Sequence, residues 1–365
     1  MKKVYTMKIN ITSEKYDLDM EISYKLSLVN SHSGTGKTSI GKIFNTDREH
    51  KLKLYIDGKL DKEDRVVYIN DANKQLLINI TEIEDVIILL DEINFSSWSN
   101  NDITIYNRLY ENKLETQKDK SNIWMKVINQ SKATIIIFNR DENVRTSVHM
   151  KAVYEFKCDG RKHWIEQKYS PVPVKKSITY DKIVTEDEKS GYFLMASIYK
   201  DKGVIPAKSK DKIVNTLNRL VSSGVKSIVV IADICAFGTV AYKFMTFYHE
   251  HEYTQLALLD IESIEYVLLK TNMFKHVDII DNTLELPVLM EKYYADILNE
   301  ELIKHTGKGY SKGEKSKCLY ENCCHETSKR SENCGIYIGG DKLKQIFKGT
   351  KYEYLTDIQL NKMIH

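Results

Sequence analysis

Proline is scarce, with four residues in 365, and glycine numbers 16. That scarcity excludes collagen-like repeats and long proline-rich stretches. No stretch approaches the roughly 18–20 consecutive apolar residues needed to cross a bilayer, so no membrane span is expected. An excess of one charge is missing too. The 54 basic and 51 acidic residues leave a net charge of +3, which argues against a histone-like basic protein, although local patches can still meet phosphates. Cysteine is sparse along most of the chain: Cys158 and Cys235 stand apart, while Cys318, Cys323, Cys324 and Cys334 crowd together near the end. That is not the framework that staples a small secreted domain. Lys8 and the polar stretch from Ser13 to Asp17 interrupt any apolar run behind Met1, so no secretory leader is expected and a cytoplasmic location is.

What is present is enough apolar residue, 42%, to bury real cores over a length that suits two domains. Pro171 and Pro173 occupy alternate positions in Tyr169-Ser170-Pro171-Val172-Pro173, which forces extended backbone and reads as an interdomain linker over 169–176. Before it, short β-branched runs recur at 7–12, 25–29, 52–56, 66–69, 86–90 and 134–138. A further pair at 152–156 and 163–168 flanks Asp159-Gly160, a type I′ hairpin signal. After it, strands alternate with helix-length patterns, the signature of βαβ units. The predicted class is α/β throughout.

The strongest motif is Ser31-His32-Ser33-Gly34-Thr35-Gly36-Lys37-Thr38-Ser39. It follows the apolar run 26–29 and leads into a segment able to open a helix, the context a phosphate loop requires. Gly34 and Gly36 let backbone amides turn inward on a phosphate, and a helix N-terminus adds a positive dipole. Ser33 to Ser39 would cradle the nucleotide, with Lys37 reaching the β/γ oxygens and the Thr38 hydroxyl ligating Mg²⁺. Ser31 stands where such loops usually begin with glycine. Downstream, Asp85 to Glu92 reads as a buried strand ending in two carboxylates. Asp91 would hold the Mg²⁺ shell and Glu92 would polarise the attacking water. A third strand, 133–138, ends in Asn139 and Arg140. Asn139 resembles the γ-phosphate sensor of ATPases with an added central strand. The 54 positions from Lys37 to Asp91 also resemble compact members of that class, and no LSGGQ-type signature occurs.

In the second half, 182–184 reads as a strand followed by Thr185-Glu186-Asp187-Glu188. Residues 203–207 read as a second strand, 226–232 as a third ending in Asp233, and 255–259 as a fourth followed by Asp260 and Glu262. Helical patterns fall at 192–199, 210–222 and 237–249. Parallel sheets place ligands at the carboxyl ends of their strands, and Mg²⁺ prefers carboxylate oxygens and water. This order resembles the Toprim fold of topoisomerases, primases and OLD-family nucleases, in which a glutamate at the first strand tip and Asp-x-Asp at the third gather Mg²⁺. The resemblance implies that Glu186 is an acid/base or metal-ligating carboxylate and Asp233 the principal metal ligand. Cys235 occupies the place of the second aspartate, and Asp187, Glu188, Asp260 or Glu262 are the candidates to replace its charge.

Cys318, Cys323, Cys324, His325 and Cys334 offer up to five soft ligands, four of which suffice for a tetrahedral Zn²⁺ site. Free thiols in a basic tail are the alternative. The expected organisation is an ATPase domain over 1–168, the linker over 169–176 and a Toprim-like domain over 177–270. A helical extension over 271–305 and a cysteine-rich tail over 306–365 follow. The pairing resembles ATPase–Toprim proteins of anti-phage defence and mobile elements. The resemblance implies ATP and Mg²⁺ as cofactors and control of a Mg²⁺-dependent nuclease by nucleotide state. It also implies nucleic acid as a partner, with assembly into oligomers or with another protein. The alternative is a nucleotide-switched interaction protein whose second domain only docks a partner.

Overall fold

The computed structural model describes residues 6–13, 16–31, 53–62, 65–73, 76–77, 83–91, 132–139, 148–200, 203–274, 277, 287–306 and 340–361. The fold is α/β, with a large mixed sheet and a smaller parallel sheet. Two compact units divide the chain: Met1–Tyr169 with Asp281–Leu289, and Ser170–Ile280 with Met290–His365.

The first unit holds β1 (Met7–Thr12), β2 (Asp17–Ile22), β3 (Leu26–Asn30), β4 (Lys53–Ile56), β5 (Lys59–Leu60), β6 (Val66–Asn70), β7 (Ile87–Asp91), β8 (Thr134–Asn139), β9 (Val153–Asp159) and β10 (Lys162–Gln167). They form one sheet in the order β5-β4-β1-β2-β10-β9-β3-β8-β7-β6. The run β9-β3-β8-β7-β6 is parallel throughout. Its inner strands explain themselves. β3, β7 and β8 are unbroken or nearly unbroken apolar segments buried along their length, as strands covered on both faces must be. The other end of the sheet is largely antiparallel and obeys a period of two. In β2, Leu18, Met20 and Ile22 turn inward while Asp19 and Glu21 face solvent. Leu18 and Met20 pack in one core with Ile9, Val29, Leu89, Ile136 and Phe156. Each such side chain stabilises the unit by about 1.5–3 kcal/mol.

One local expectation is corrected. The hairpin between β9 and β10 exists, but Asp159 pairs with Lys162, so the two loop residues are Gly160 and Arg161. Gly160 has φ +57° and Arg161 is not among the residues with positive φ. A type I′ turn needs positive φ at both positions, and a side chain resists it at the second. Glycine at the first position alone fits the type II′ alternative.

The second unit contains β11 (Lys182–Thr185), α1 (Ser190–Tyr199), β12 (Val204–Pro206), α2 (Ile213–Ser222), β13 (Ser227–Ile231), α3 (Gly238–Glu250), β14 (Gln255–Leu258), α4 (Ile264–Leu269), α5 (Pro287–Thr306) from Met290 on, and α6 (Gly340–Phe347). The sheet order is β12-β11-β13-β14, with every pairing parallel. α2 buries Ile213, Leu217 and Leu220, spaced four and three apart on one face. The closing segment belongs to the same core, where Leu343, Phe347, Tyr352 and Leu355 pack with Leu298, Ile264 and Ile183. The Tyr199 hydroxyl ties it down, donating to the Leu355 carbonyl at 2.8 Å and accepting from the Ile358 amide at 2.9 Å. Burial raises the pKa of this hydroxyl above the ordinary tyrosine value and keeps it protonated.

Strand order fixes where a ligand can sit. In 2-1-3-4 order the chain leaves β11 toward β12 on one side and reaches β13 on the other, so β11 and β13 flank the switch point. The crevice outside their carboxyl ends is the natural binding place in an open parallel sheet.

Candidate functional site

In the first unit, four neighbouring parallel strands end together. Asn70 at the end of β6 stands opposite Asp91 of β7, Asp91 opposite Phe138 of β8, and Asn139 of β8 opposite Asn30 of β3. β8 therefore lies between the strand that leads into the glycine-rich segment and the strand that ends in Asp91. Two strand spacings, about 10 Å, separate β3 from β7. The Ser31 amide donates to the Asn139 carbonyl at 3.2 Å and fastens the chain leaving β3 to the tip of β8. Asn30 and Ser31 are both buried, and among the described residues Asn30 Oδ1 and Ser31 Oγ have no hydrogen-bond partner. Buried polar atoms of this kind cost free energy unless something fills their bonds.

Asp91 is half-buried, and its Oδ2 accepts a hydrogen bond from the Tyr68 hydroxyl at 2.5 Å. Tyr68 itself is buried, on β6. Sequence reasoning missed it, since Val66-Val67-Tyr68-Ile69 reads only as a strand. The parallel pairing that sets Tyr68 beside Leu89, two residues before Asp91, makes it an orienting partner. Ser33 to Ser39, Glu92 and Arg140 lie outside the described residues, as do Cys318, Cys323, Cys324, His325 and Cys334.

The second unit brings Glu186 and Asp233 together. Thr185 pairs with Ile231, so both acids leave their strands at the same level of the switch point. Glu186 Oε2 accepts the Asp233 amide at 3.1 Å, which fixes the glutamate against the β13 tip. Both line a cavity of about 200 Å³ with Asp187, Ser190, Gly191, Lys210 and Ile264. The loop after β13 is stitched to the loop after β14: the Ile234 amide donates to the Ile261 carbonyl at 3.1 Å and the Cys235 amide to the Glu262 carbonyl at 3.4 Å.

The four acids offered as replacements for a second aspartate have other places. Asp187 lines the cavity, but its carboxylate caps α1. Oδ1 accepts the Gly191 and Tyr192 amides at 3.1 and 3.4 Å, and Oδ2 accepts the Ser190 amide and hydroxyl at 3.1 and 3.0 Å. A Cβ on Gly191 would sit 3.1 Å from Asp187 Oδ1, so this close approach favours glycine. Glu188 pairs at 3.8 Å with Lys208, both exposed. Asp260 and Glu262 are not among the cavity residues, and Cys235 is buried in the turn 234–236.

Among the described residues, no group of three His, Cys, Asp or Glu side chains is placed to hold a metal ion. The pair Glu186 and Asp233 remains, and it fits Mg²⁺. That ion commonly takes one or two carboxylates and completes its shell with water and substrate phosphate oxygens. No helix among the described residues is long and apolar enough to cross a membrane.

No family model matches the chain, and no curated protein matches it. Among solved structures, a chain of the Pnkp1/Rnl/Hen1 complex aligns over 82% of this chain and 89% of its own at 11% identity. The TM-score of that alignment, 0.13, is too low to transfer even a fold.

Proposed function

We propose that this chain binds and hydrolyses ATP in its first unit and uses that cycle to control a Mg²⁺-dependent, Toprim-like nuclease in its second, in prokaryotic anti-phage defence or a mobile element. The observation that carries the ATP half is the position of β8. A strand tipped by Asn139 lies between the strand entering Gly34-Thr35-Gly36-Lys37-Thr38 and the strand ending in Asp91. That is the arrangement expected of an ATPase with an added central strand. Lys37 would meet the β/γ oxygens, Thr38 and Asp91 would hold Mg²⁺, Glu92 would polarise the attacking water, and Asn139 would face the γ-phosphate. Asn30 Oδ1 and Ser31 Oγ, buried without described partners, would find theirs in the loop or its ligand.

For the nuclease half, Glu186 and Asp233 at the switch point would hold Mg²⁺ against a phosphodiester. The ion, when bound, supplies charge neutralisation at the phosphoryl group. The Asp233 amide keeps Glu186 oriented. Nucleic acid is the proposed substrate, and ATP-dependent assembly with itself or a partner protein the proposed control. Cys318, Cys323, Cys324 and Cys334 are proposed to hold one Zn²⁺, which elemental analysis of the purified chain would count.

A second reading is favoured by one observation. With Asp187 engaged as a cap and Cys235 buried, two carboxylates serve where the Toprim pattern has three. On that reading the second unit only docks a partner under nucleotide control. The discriminating experiment is cleavage of DNA and RNA in Mg²⁺ or Mn²⁺ by wild type, Glu186→Ala and Asp233→Ala. Loss of cleavage in both variants supports the nuclease, and absence of metal-dependent cleavage with intact ATP turnover leaves the docking module. Lys37→Ala and Glu92→Gln should both abolish ATP hydrolysis, Glu92→Gln with binding retained. Turnover indifferent to both removes the ATP half.

A further inference from the structure

The cavity at the β11 and β13 tips has a divided lining. Glu186 and Asp233 bring negative charge, and Lys210, half-buried in the turn that leads into α2, brings a positive one. A lysine facing two acids would ordinarily close on one of them. This one does not: Lys210 Nζ donates to the Ala236 carbonyl at 3.0 Å and, among the described residues, makes no ion pair. Ala236 belongs to the turn that follows Asp233, so the same few residues position the acid and restrain the base. An ammonium has three N–H donors, and one hydrogen bond leaves two for a ligand.

We propose that Lys210 binds a non-bridging oxygen of the substrate phosphodiester, a role that rests on the reading of Glu186 and Asp233 as a Mg²⁺ site. Charge supports it: a phosphodiester carries one negative charge, which an ammonium held by a single carbonyl can meet. Size supports it as well. The cavity of about 200 Å³ is smaller than the roughly 300 Å³ at which pockets begin to enclose drug-sized molecules. A water occupies about 30 Å³, so a phosphate group with a few waters is what such a space accepts. Lysine serves here as a compact point charge, the way it commonly meets phosphate. The substrate would thus enter by one phosphate, with its sugars and bases outside.

The test uses the full chain with two readouts. Mn²⁺ binding, followed by electron paramagnetic resonance, reports the carboxylates. Anisotropy of a fluorescein-labelled single-stranded 12-nucleotide DNA, with and without Ca²⁺, reports the phosphate contact without cleavage. Inorganic phosphate serves as competitor to separate a free anion from a diester. In the absence of nucleotide, Asp233→Ala should lose Mn²⁺. Lys210→Ala and Lys210→Gln should keep Mn²⁺ within about twofold and weaken the Ca²⁺-dependent part of DNA binding by about tenfold or more, and Lys210→Arg should restore most of it. Mn²⁺ binding intact with DNA affinity unchanged in both Lys210 variants overturns the lysine role alone. Mn²⁺ binding that is absent, or indifferent to Asp233→Ala, overturns the metal site and the lysine role together. Competition by inorganic phosphate as strong as by unlabelled DNA overturns the assignment to a diester.

Discussion

Asp187 separates an acid engaged in structure from those proposed for catalysis by a measurable margin. Its carboxylate receives the amides of Ser190, Gly191 and Tyr192 and the Ser190 hydroxyl, at 3.0 to 3.4 Å. Removing a helix cap to alanine costs about 0.5–2 kcal/mol, and hydrogen bonds to a charged group are worth about 1.5–3 kcal/mol each. The bonds share one carboxylate and are not additive, and the 3.4 Å contact is weak. A loss near 2 kcal/mol is therefore expected for Asp187→Ala. For a domain of 150–250 residues that corresponds to a fall of about 4–8 °C in Tm. Asparagine keeps one good acceptor and is nearly as good a cap, so Asp187→Asn should cost less than about 1 kcal/mol. Differential scanning calorimetry gives the Tm, and Mn²⁺ titration of the same samples gives the metal. The reasoning predicts a graded loss of stability, alanine worse than asparagine, with Mn²⁺ bound in both folded variants. It is refuted if Asp187→Ala melts like wild type, or if Asp187→Asn retains its Tm and loses Mn²⁺.

Tyr68→Phe removes the hydroxyl that orients Asp91, and such outer partners are worth about 10- to 100-fold in metal affinity. On the proposed ATPase reading, hydrolysis should need at least about tenfold more Mg²⁺ for half-maximal rate while Tm moves little, and an unchanged Mg²⁺ dependence would count against an orienting role. For Asp181, burial pushes the carboxyl up, but hydrogen bonds from Asn361 Nδ2 and from the Lys226 and Ser227 amides outweigh it and hold the pKa below the ordinary aspartate value. Its stabilisation is therefore complete above about pH 4 and is lost as pH falls through the depressed pKa. Asp181→Asn should be less stable at pH 7 and flatter in urea midpoint below pH 4, and parallel acid profiles for both proteins would refute this. Cys235→Asp places a carboxylate at a site only 2% exposed, which costs several kcal/mol unless the group is compensated. It should lower Tm by several degrees without adding a second Mn²⁺, and a second bound ion at unchanged Tm would reverse that view of the position.

Much of the architecture is legible because parallel strands are buried on both faces. Val86 to Leu90 and Ala133 to Phe138 are short, largely apolar runs rich in β-branched residues, and both form strands. The alternation of strand and helix after Ile178 is equally plain, and the elements lie within a residue or two of their patterns except α2, which begins three residues late because 210–212 form a 3-10 turn. β2 is different. Asp17-Leu18-Asp19-Met20-Glu21-Ile22 alternates cleanly, yet it is not among the strand runs named from sequence, because three acids in six residues mask the pattern until the inward positions are counted separately. The turn at Gly160 was one residue out of place, since an Asp-Gly pair signals a hairpin without fixing which residues remain in the ladder. Pairing order across the ten strands lies further from sequence still. Hydrophobic patterning does not say that β8 lies between β3 and β7; only the resemblance to ATPases with an added central strand implied it.

The sites follow the same physics with a harder limit. A strand tip is where a buried segment first meets water, so a polar residue there is expected whether or not it has a function. Composition and spacing can find Glu186, Asp187 and Glu188 in a row; they cannot tell three carboxylates apart. In the folded chain, Asp187 turns to the start of α1, Glu188 pairs with Lys208 in solvent, and Glu186 is held by the Asp233 amide in the lining of a cavity. The difference between them lies in which hydrogen bonds are already taken, and those bonds are made by residues from 3 to 47 positions away. Tyr68 and Lys210 escaped notice for the same reason: each acquires its role only when a neighbouring strand or turn brings an acid beside it. Candidate acids can therefore be nominated from strand ends, but the choice among them is made by tertiary hydrogen bonding. It follows that Asp187→Ala and Asp233→Ala, similar as changes of sequence, should fail in different assays.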